Sequence, residues 1–426
     1  MIAVVGGGIT GLAVGWELAR LGEPFVVLES SGRVGGMIRS AEIEDRVLDW
    51  GPQRVRLTPK VSELVTALSL DRELLVAPRL PLHVFARGRL REVPFSLAGF
   101  ATTDAFGVSA KLRALLEPLT AGARADESVA EYFTRKLGRE LYETLAGPLY
   151  GGLYASDPAD MEVGSSLEHT LRDLRVGRSL VLRFLRAGAR VQAPPACSFR
   201  SGMEALPSAL GRSLGAKIVL GSPVRALRRR GAGWLVETDA ARIDANAVVL
   251  TAPAPVTASL LEREAPATAS ALRELRYNPL SVVHLDAEAP LRSMGFQVAL
   301  SERSRSLRGV TFNDCLFGRP RLCTAYLGGG AHPEVEHLSP EDLGEAAVRE
   351  FRSCSGTDAR VLAVERVRMP AWDRSWRALS RVQPPDGVHM AASWWSRPGV
   401  IGRLAEAERV VRGLRGARFS APARTA

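Results

Sequence analysis

The sequence predicts an α/β fold with three parts: a discontinuous Rossmann-like dinucleotide-binding domain, a mixed-sheet substrate domain and an inserted helical lobe. Two apolar runs near the N-terminus, Ile2–Val5 and Phe25–Leu28, flank a glycine-rich turn and a helical stretch, as in a dinucleotide-binding βαβ unit. Apolar residues three and four positions apart recur between residues 97 and 190, which predicts helices. Strand patterns dominate from Tyr277 to Met369.

The turn after the first apolar run reads Gly6-Gly7-Gly8-Ile9-Thr10-Gly11. Gly6 allows a sharp turn, Gly8 lets a pyrophosphate approach the backbone, and Gly11 permits the helix to pack closely on the strands. The helix that begins near Ile9 and Thr10 would direct its free N–H groups and positive dipole end toward the diphosphate. These residues are therefore predicted to bind the cofactor.

The second apolar run ends at an acidic residue, Glu29, which lies 18 residues after Gly11. A carboxylate at this position can accept hydrogen bonds from ribose hydroxyls, and it favours a ribose without a 2′-phosphate. A glycine turn with a purely structural role is the alternative, because glycine-rich strings also occur by chance.

Composition limits the classes of protein that this chain can belong to. Its 426 residues exceed one ordinary core, so two or three domains are expected. A hydrophobic content of 46% and a charged content of 24% are typical of a globular enzyme. The first strand begins at residue 2, which predicts no signal or transit peptide and a cytoplasmic location, with a peripheral position on the inner face of the cell membrane left open.

The charge and the cysteines point away from nucleic acid and metal. A net charge of +10 suits anionic lipid or a polycarboxylate substrate, and no basic stripe with interleaved aromatic residues predicts nucleic-acid binding. The four cysteines form no CxxC pair and no cluster with histidines, so neither a metal site nor a disulfide framework is expected.

A second glycine motif, Gly32-Arg33-Val34-Gly35-Gly36-Met37, resembles the signature of the amine-oxidase and protoporphyrinogen-oxidase flavoproteins. The resemblance implies FAD rather than NAD as cofactor. It places Arg33 near the diphosphate, and it places Gly35, Gly36 and Met37 where backbone passes close to FAD. Asp49-Trp50-Gly51-Pro52 is similar to the next segment of these enzymes, which implies that Gly51 and Pro52 lie beneath the flavin ring.

Further segments resemble the oxygen-dependent protoporphyrinogen and coproporphyrinogen oxidases. Residues 147–158 (GPLYGGLYASDP) look like that family's "P-L-x-G-G-I-Y-A-G-D-P", and Phe199–Pro207 looks like its "F-x-G-G-M-x-x-L-P". The similarity covers most of residues 1 to 335. It implies oxidation of a porphyrinogen by FAD in heme biosynthesis, with O2 as electron acceptor and H2O2 as product. The resemblance also implies that Val224 contacts the adenine, and a core valine is the alternative.

The sequence departs from the family at two places. Leu82 occupies the position where a basic residue usually holds a substrate propionate, so the anchor would have to come from Arg79, His83 or elsewhere. The C-terminal segments that normally lie against the isoalloxazine are also altered, although 398–402 keep part of the pattern. The positions predicted to contact the flavin in these segments are Trp372, Val400 and Ile401.

The resemblance divides the chain into segments of three domains. The predicted FAD-binding domain comprises residues 1–78, 197–255 and 371–412. The predicted substrate domain comprises 79–95 and 256–370, and a helical lobe that faces the substrate or the membrane comprises 96–196. Residues 413–426 are rich in Arg, Ala and Pro and are expected to be a disordered tail.

Two other functions remain open at this point. A related flavin amine oxidase would need two aromatic residues facing the flavin, which Trp394 and Trp395 could supply, and a carotenoid desaturase would need a long apolar tunnel. A non-catalytic paralogue that binds FAD or porphyrin is the other alternative. No catalytic acid or base is predicted, since the cofactor would carry the redox step. The sequence leaves open the choice between coproporphyrinogen III and protoporphyrinogen IX, and also whether the chain forms a homodimer.

Overall fold

The computed structural model describes residues 1–94, 96–124, 126–187 and 193–419. A five-stranded parallel sheet gathers strands from distant parts of the chain. Its strands, in spatial order, are Ile218–Val219, Phe25–Leu28, Ile2–Val5, Ala247–Leu250 and Val388–Met390. Parallel strands covered on both faces are apolar throughout, as the buried Ile2–Val5 strand shows. The sheet confirms the predicted discontinuous Rossmann-like fold.

Helices cover this sheet and position the glycine turn. They are Ile9–Arg20, Pro59–Ala67, Ala205–Leu214, Ala254–Leu261, Pro266–Arg273 and Gly399–Phe419. Gly15 lets Ile9–Arg20 pack closely, because a Cβ there would lie 3.0 Å from Leu214 Cδ1. The last helix differs from the expectation of a tail from residue 413, since residues 413–419 continue the helix against which the first helix packs. The rest of the predicted tail, 420–426, lies outside the described residues.

A seven-stranded mixed sheet forms the second layer. In spatial order its strands are Arg360–Pro370, Tyr277–Asp286, Leu322–Gly328, Leu307–Phe312, Gly295–Val298, His83–Ala86 and Arg89–Glu92. All neighbours are antiparallel except Gly295–Val298 and His83–Ala86. Helix Pro340–Ser355 covers one face, where alternate apolar residues such as Val283, Ala325 and Leu327 share a core with Phe351. The opposite face is turned toward the N-terminal domain.

Three smaller sheets complete the strand structure. Their strands are Val224–Arg230, Gly233–Thr238 and Arg242–Ala245 in one sheet; Val55–Arg56, Ala196–Phe199 and Leu74–Val76 in another; and Ser40–Ile43 with Arg46–Asp49 in a hairpin. The hairpin leads the chain from the second glycine motif directly to Asp49, which the next subsection places in the site.

Short helices fill residues 97–187. They are Leu97–Thr102, Val108–Leu115, Val129–Leu137, Arg139–Leu141, Gly147–Tyr154, Glu168–Asp173 and Leu180–Ala187, joined by a 3-10 turn at Glu117–Leu119 and π-helical turns at Tyr142–Ala146 and Val163–Leu167. Lys136 and Glu117 are fully buried and form an ion pair of 2.6 Å that ties two of these segments together. Outside this lobe, Asn313–Phe317 is helical and Gly215–Lys217, Pro333–His337 and Arg374–Arg381 are 3-10 helices.

Candidate cofactor and active site

The glycine turn has a conformation that its own packing requires at two positions. Gly6 has φ +109°, and its N–H donates to the Leu28 carbonyl at 2.8 Å, so the chain leaves the strand at once. A Cβ at Gly11 would lie 1.9 Å from the Gly6 carbonyl oxygen. The backbone of the turn alone therefore requires glycine at both positions, whether the turn binds a cofactor or has a purely structural role.

Gly8 distinguishes a cofactor-binding turn from a turn with a purely structural role. Its backbone is extended, with φ −70° and ψ 175°, which any residue can adopt. A Cβ there would meet no protein atom closer than Gly36 Cα at 4.0 Å. Neither conformation nor packing inside the protein requires glycine at this position. The requirement is explained by a diphosphate that lies against the backbone, so the residues present fit a dinucleotide.

The first helix supports the same fit. It begins at Ile9, with no side-chain cap on its free N–H groups and no acidic residue in its first turn. Unsatisfied N–H groups at a helix N-terminus, together with the helix dipole, favour a bound phosphate. Ile9 and Thr10 lie in this first turn, as predicted, and Thr10 is buried.

Glu29 lies beside the turn and holds it in place. Its buried carboxylate accepts hydrogen bonds from Gly7 N at 2.6 Å and from Ser31 N and Oγ at 2.8 Å. The carboxylate thus connects the end of the second strand to the glycine turn. Its predicted contact with a ribose remains a prediction, which this position supports.

The second glycine motif lies directly on the first. Gly35 N donates to Gly7 O at 2.8 Å, and a Cβ at Gly36 would lie 3.2 Å from Gly8 Cα. Gly35 and Gly36 have φ +105° and +58°, which favour glycine. The two motifs, which were predicted separately, therefore pack against each other. Met37 follows them with a half-exposed side chain.

Arg33 supports this loop from within. Its guanidinium donates to the carbonyl oxygens of Gly36 at 2.7 Å, Val34 at 3.1 Å and Ile38 at 3.2 Å. These bonds fix the conformation of the glycine pair. The predicted position near the diphosphate remains a prediction beside this observed role.

The segment at Asp49 continues from the glycine pair toward the seven-stranded sheet. A Cβ at Gly51 would lie 2.4 Å from Met37 O, so Gly51 and Pro52 follow the loop closely. Asp49 is fully buried, and its carboxylate accepts from Ser40 Oγ at 2.6 Å and from Met203 N at 2.7 Å. Its other oxygen pairs with the buried Arg319 guanidinium at 2.7 Å. The ion pair anchors the segment predicted to lie beneath the flavin.

Polar residues cover the face of the sheet that this segment meets. We call His284, Thr324 and Tyr326, with Gln53 and Asn313 packed on them, the polar sheet face. Asn313 Nδ2 donates to Thr324 Oγ1 at 2.7 Å, and Gln53 Oε1 accepts from both residues at 3.3 Å. These bonds join the Asp49 segment to the sheet.

His284 is the titratable member of this face. It is fully buried, its Nδ1 lies 3.1 Å from Thr324 Oγ1, and its ring packs edge-on against Trp50 at 5.1 Å. Burial lowers the pKa of His284 to about 3, so the imidazole is neutral at physiological pH. The sequence showed the signal for this network, because His284 and Thr324 interrupt otherwise apolar strands. The scattering of the histidines along the sequence nevertheless favours a structural over a catalytic role for each of them.

The other residues predicted to contact the cofactor lie outside the two glycine motifs. Trp372 has φ +50° and stacks on Trp376 at 5.4 Å, with Tyr154 at 6.0 Å. Val400 is buried and Ile401 half-buried in the core shared with the first helix. Val224 begins the Val224–Arg230 strand and is half-buried. None of these contacts tests their predicted roles at the flavin or adenine, which remain predictions.

Trp394 and Trp395 do not both expose their rings. Trp394 is fully buried, its Nε1 donates to Ala252 O at 3.0 Å, and its ring lies edge-to-face with Trp395 at 5.8 Å. An amine oxidase with two aromatic residues facing the flavin would need both rings exposed to one cavity. This geometry disfavours that reading of the pair.

Of the two residues predicted to anchor a substrate propionate, His83 contacts another side chain and Arg79 is exposed to solvent. Leu82 packs on an apolar cluster with Val84 and Ala86. His83 Nδ1 lies 2.9 Å from Ser293 Oγ, and Arg79 is exposed. In the described part of the chain, no three His, Cys, Asp or Glu side chains are grouped to hold a metal ion.

A dinucleotide turn, an uncapped helix and a second glycine motif on the same cleft define an FAD-dependent oxidoreductase. Residues 9–402 match the family described as flavin containing amine oxidoreductase, and the chain belongs to this family. Among the described residues, no helix is long and apolar enough to cross a membrane.

Several curated proteins are similar to this chain. Human protoporphyrinogen oxidase is 30% identical over 352 residues, which cover 74% of this chain and 73% of the human protein. Coproporphyrinogen III oxidase of Bacillus subtilis (strain 168) is 28% identical and covers 82% of each chain. The chloroplastic protoporphyrinogen oxidase 1 of Spinacia oleracea is 27% identical over 82% of this chain and 70% of the relative.

Solved structures share the fold. A candidate protoporphyrinogen oxidase from Exiguobacterium sp. 255-15 matches with a TM-score of 0.81, 22% identity and 98% coverage of both chains. Reduced UDP-galactopyranose mutase matches with a TM-score of 0.73, 14% identity and coverage of 98% of this chain and 95% of that one. At these identities the likeness concerns the fold alone.

Proposed function

We propose that this protein oxidises a porphyrinogen, protoporphyrinogen IX or coproporphyrinogen III, to the porphyrin in heme biosynthesis. This proposal rests mainly on the similarity to the human and bacterial porphyrinogen oxidases over most of the chain. The open space at Gly8, which fits a diphosphate, also supports it. The segment that resembles the porphyrinogen oxidases most specifically also adjoins the polar sheet face. A Cβ at Gly152 would lie 2.9 Å from Gln297 Oε1, and one at Gly147 2.4 Å from Leu300 Cδ1.

Bound FAD, which the glycine turn and the second glycine motif would hold, would supply the two-electron redox chemistry, so that removal of three pairs of hydrogen atoms from the porphyrinogen would be balanced by reduction of three O2 to three H2O2. The protein residues position the reactants. The Asp49–Arg319 pair fixes the segment predicted beneath the flavin, and helix Gly147–Tyr154 packs on the sheet and excludes water from that side. The net charge of +10 favours approach of a substrate with several carboxylates.

Anaerobic mixing of the purified holoprotein with each porphyrinogen tests this proposal. We expect the flavin absorbance to bleach, and to recover with the appearance of porphyrin fluorescence and H2O2 when air is admitted. The faster of the two substrates identifies the physiological one. Flavin that dithionite reduces but neither porphyrinogen bleaches would support the non-catalytic paralogue, and bleaching by an amine would support the amine oxidase.

The helical lobe carries an apolar surface that supports a peripheral membrane position at the cytoplasmic face. Its large apolar side chains are more than half exposed and follow one side of helix Val108–Leu115 and the turn after it: Val108, Leu112, Leu115, Leu116 and Leu119. Exposed apolar patches of this kind mark interaction surfaces. Co-sedimentation with anionic vesicles, lost on replacing Leu112 and Leu119 by Ser, would support this contact, and equal sedimentation of both proteins would contradict it.

A further inference from the structure

Arg54 is a basic residue in the site whose charge the protein does not balance. It follows Gln53, whose side chain is bonded to the polar sheet face, and it precedes the short strand Val55–Arg56. Its Nη1 atom is buried and has no hydrogen-bond partner among the described residues, and no carboxylate there lies within ion-pair distance of it. Burial lowers the pKa of Arg54. A buried guanidinium without an anion is unfavourable, so such a group points to a ligand.

Tyr326 lies near this guanidinium. The two groups act on each other electrostatically, and the Tyr326 hydroxyl is hydrogen-bonded to Thr311. Because strand residues alternate between faces, Tyr326 shares the polar sheet face with Thr324. Its antiparallel neighbour is Gly309, which presents no side chain beside the ring. A guanidinium and a phenol on one face supply the donors that a carboxylate accepts.

The position of Arg54 separates it from the cofactor phosphates. Contacts lead from Gly8 to Gly36, from Met37 to Gly51, and from Gln53 to Thr324. Arg54 therefore lies at the sheet end of this series, whereas the fitted diphosphate lies at its beginning.

We propose that Arg54, with the Tyr326 hydroxyl near it, binds a carboxylate arm of the tetrapyrrole substrate. The inference rests on the porphyrinogen-oxidase function proposed above. It also accounts for Leu82, because a carboxylate bound at Arg54 makes a basic residue at position 82 unnecessary.

The test compares carboxylates with esters. Coproporphyrin III and protoporphyrin IX, each as free acid and as methyl ester, are titrated into the FAD-loaded protein in the same detergent, and binding is followed by quenching of flavin fluorescence. The pair that the wild type binds more tightly is then measured on Arg54→Met, Arg54→Lys and Arg56→Met. Arg56 is the matched control, since it is the exposed basic residue two positions further on and donates to Pro194 O at 3.1 Å.

We expect the wild type to prefer the free acid, and Arg54→Met to lose about 10- to 100-fold of that affinity, as for a charge-assisted hydrogen bond, with little change for the ester. Arg54→Lys should recover part of the difference, and Arg56→Met should behave as the wild type. The denaturation midpoint of Arg54→Met should not fall, because the charge it removes has no partner in the protein.

Three results would overturn the inference. Arg54→Met could keep both the wild-type preference for the acid and the wild-type denaturation midpoint, or it could fail to retain FAD, measured from the flavin absorbance after dialysis, which would assign Arg54 to the cofactor. A lower denaturation midpoint with an unchanged preference would assign it to the fold. Failure of the function itself is distinguishable, because it is seen in the wild type, when neither porphyrinogen bleaches a flavin that dithionite reduces.

Discussion

The glycine turn at Gly6–Gly11 and the polar sheet face are built from opposite kinds of contact. In the turn, Gly11 meets the backbone of Gly6, and a Cβ added at Gly11 would lie 1.9 Å from the Gly6 carbonyl oxygen. At the sheet face, buried side chains are hydrogen-bonded to one another, as Thr324 is to His284 and Asn313. The turn should therefore fail when an atom is added, and the sheet face should fail when a partner is removed. The predictions below test this contrast, beginning with the largest expected effect.

Removal of Arg319 should have the largest effect. Arg319→Met leaves the buried Asp49 carboxylate without its cation, and breaking a buried pair in this way typically costs about 3–5 kcal/mol. Denaturant unfolding of the holoprotein would show a lower midpoint. The double variant Asp49→Asn/Arg319→Met should recover part of the loss, since no charge is left buried. Equal or additive losses in the single and double variants would contradict a paired role.

Addition of one methyl group at the turn should have the next effect. In Gly11→Ala the new Cβ would lie 1.9 Å from Gly6 O, which forces the helix away from the strand. Overpacking of this kind costs about 1–3 kcal/mol, so we expect FAD affinity to fall by about 10- to 100-fold. Gly177→Ala is a control, because a Cβ there meets no atom within 4 Å and the φ of Gly177 is not in the left-handed region. The FAD content after dialysis measures both, and equal retention would contradict the prediction.

The turn was predictable from the sequence because its determinants are local. Gly6, Gly8 and Gly11 lie within six residues, and their roles follow from backbone chemistry. The hydrogen bond between Thr324 and Gln53 joins residues that are 271 positions apart, and the sequence gives no sign of it, because it depends on the register of Leu322–Gly328 in its sheet. A sequence shows that His284 and Thr324 are polar within apolar strands, but it does not show which face they share or what meets them.

The chain end illustrates the same limit. Arg- and Ala-rich composition favoured a tail from residue 413, but the helix that begins at Gly399 extends to Phe419. Arg and Ala are strong helix formers, so a pattern taken as solvated coil also suits a helix that packs on the first one. Composition could not distinguish these two states, because the distinction depends on whether a partner surface is present.

The sheet face should also respond to pH through His284. Its folded pKa of about 3 lies below the ordinary value of 6.5, so the unfolded chain binds the proton more readily. The stability that the neutral ring contributes is complete above pH 6.5 and is lost as the pH falls toward 3, by about 1.4 kcal/mol per pH unit. Between pH 7 and 5, the denaturation midpoint of the wild type should fall more than that of His284→Asn. Parallel profiles would contradict a buried neutral histidine.

Glu29 gives the sharpest test of the contrast, because it is a side chain on which the backbone turn depends. Glu29→Gln keeps the size of the residue and one acceptor oxygen, but it turns an amide NH2 toward N–H groups of Gly7 or Ser31 that now donate to a carboxylate. Loss of one charge-assisted hydrogen bond is worth about 1.5–3 kcal/mol, so FAD affinity should fall at least about 10-fold, with a smaller change in the denaturation midpoint of the apoprotein. Glu345→Gln, at an exposed position of helix Pro340–Ser355, serves as the control. Unchanged FAD affinity in Glu29→Gln would mean that the backbone alone shapes the turn, and the acidic residue at the end of the second strand would then have no part in recognition of the cofactor.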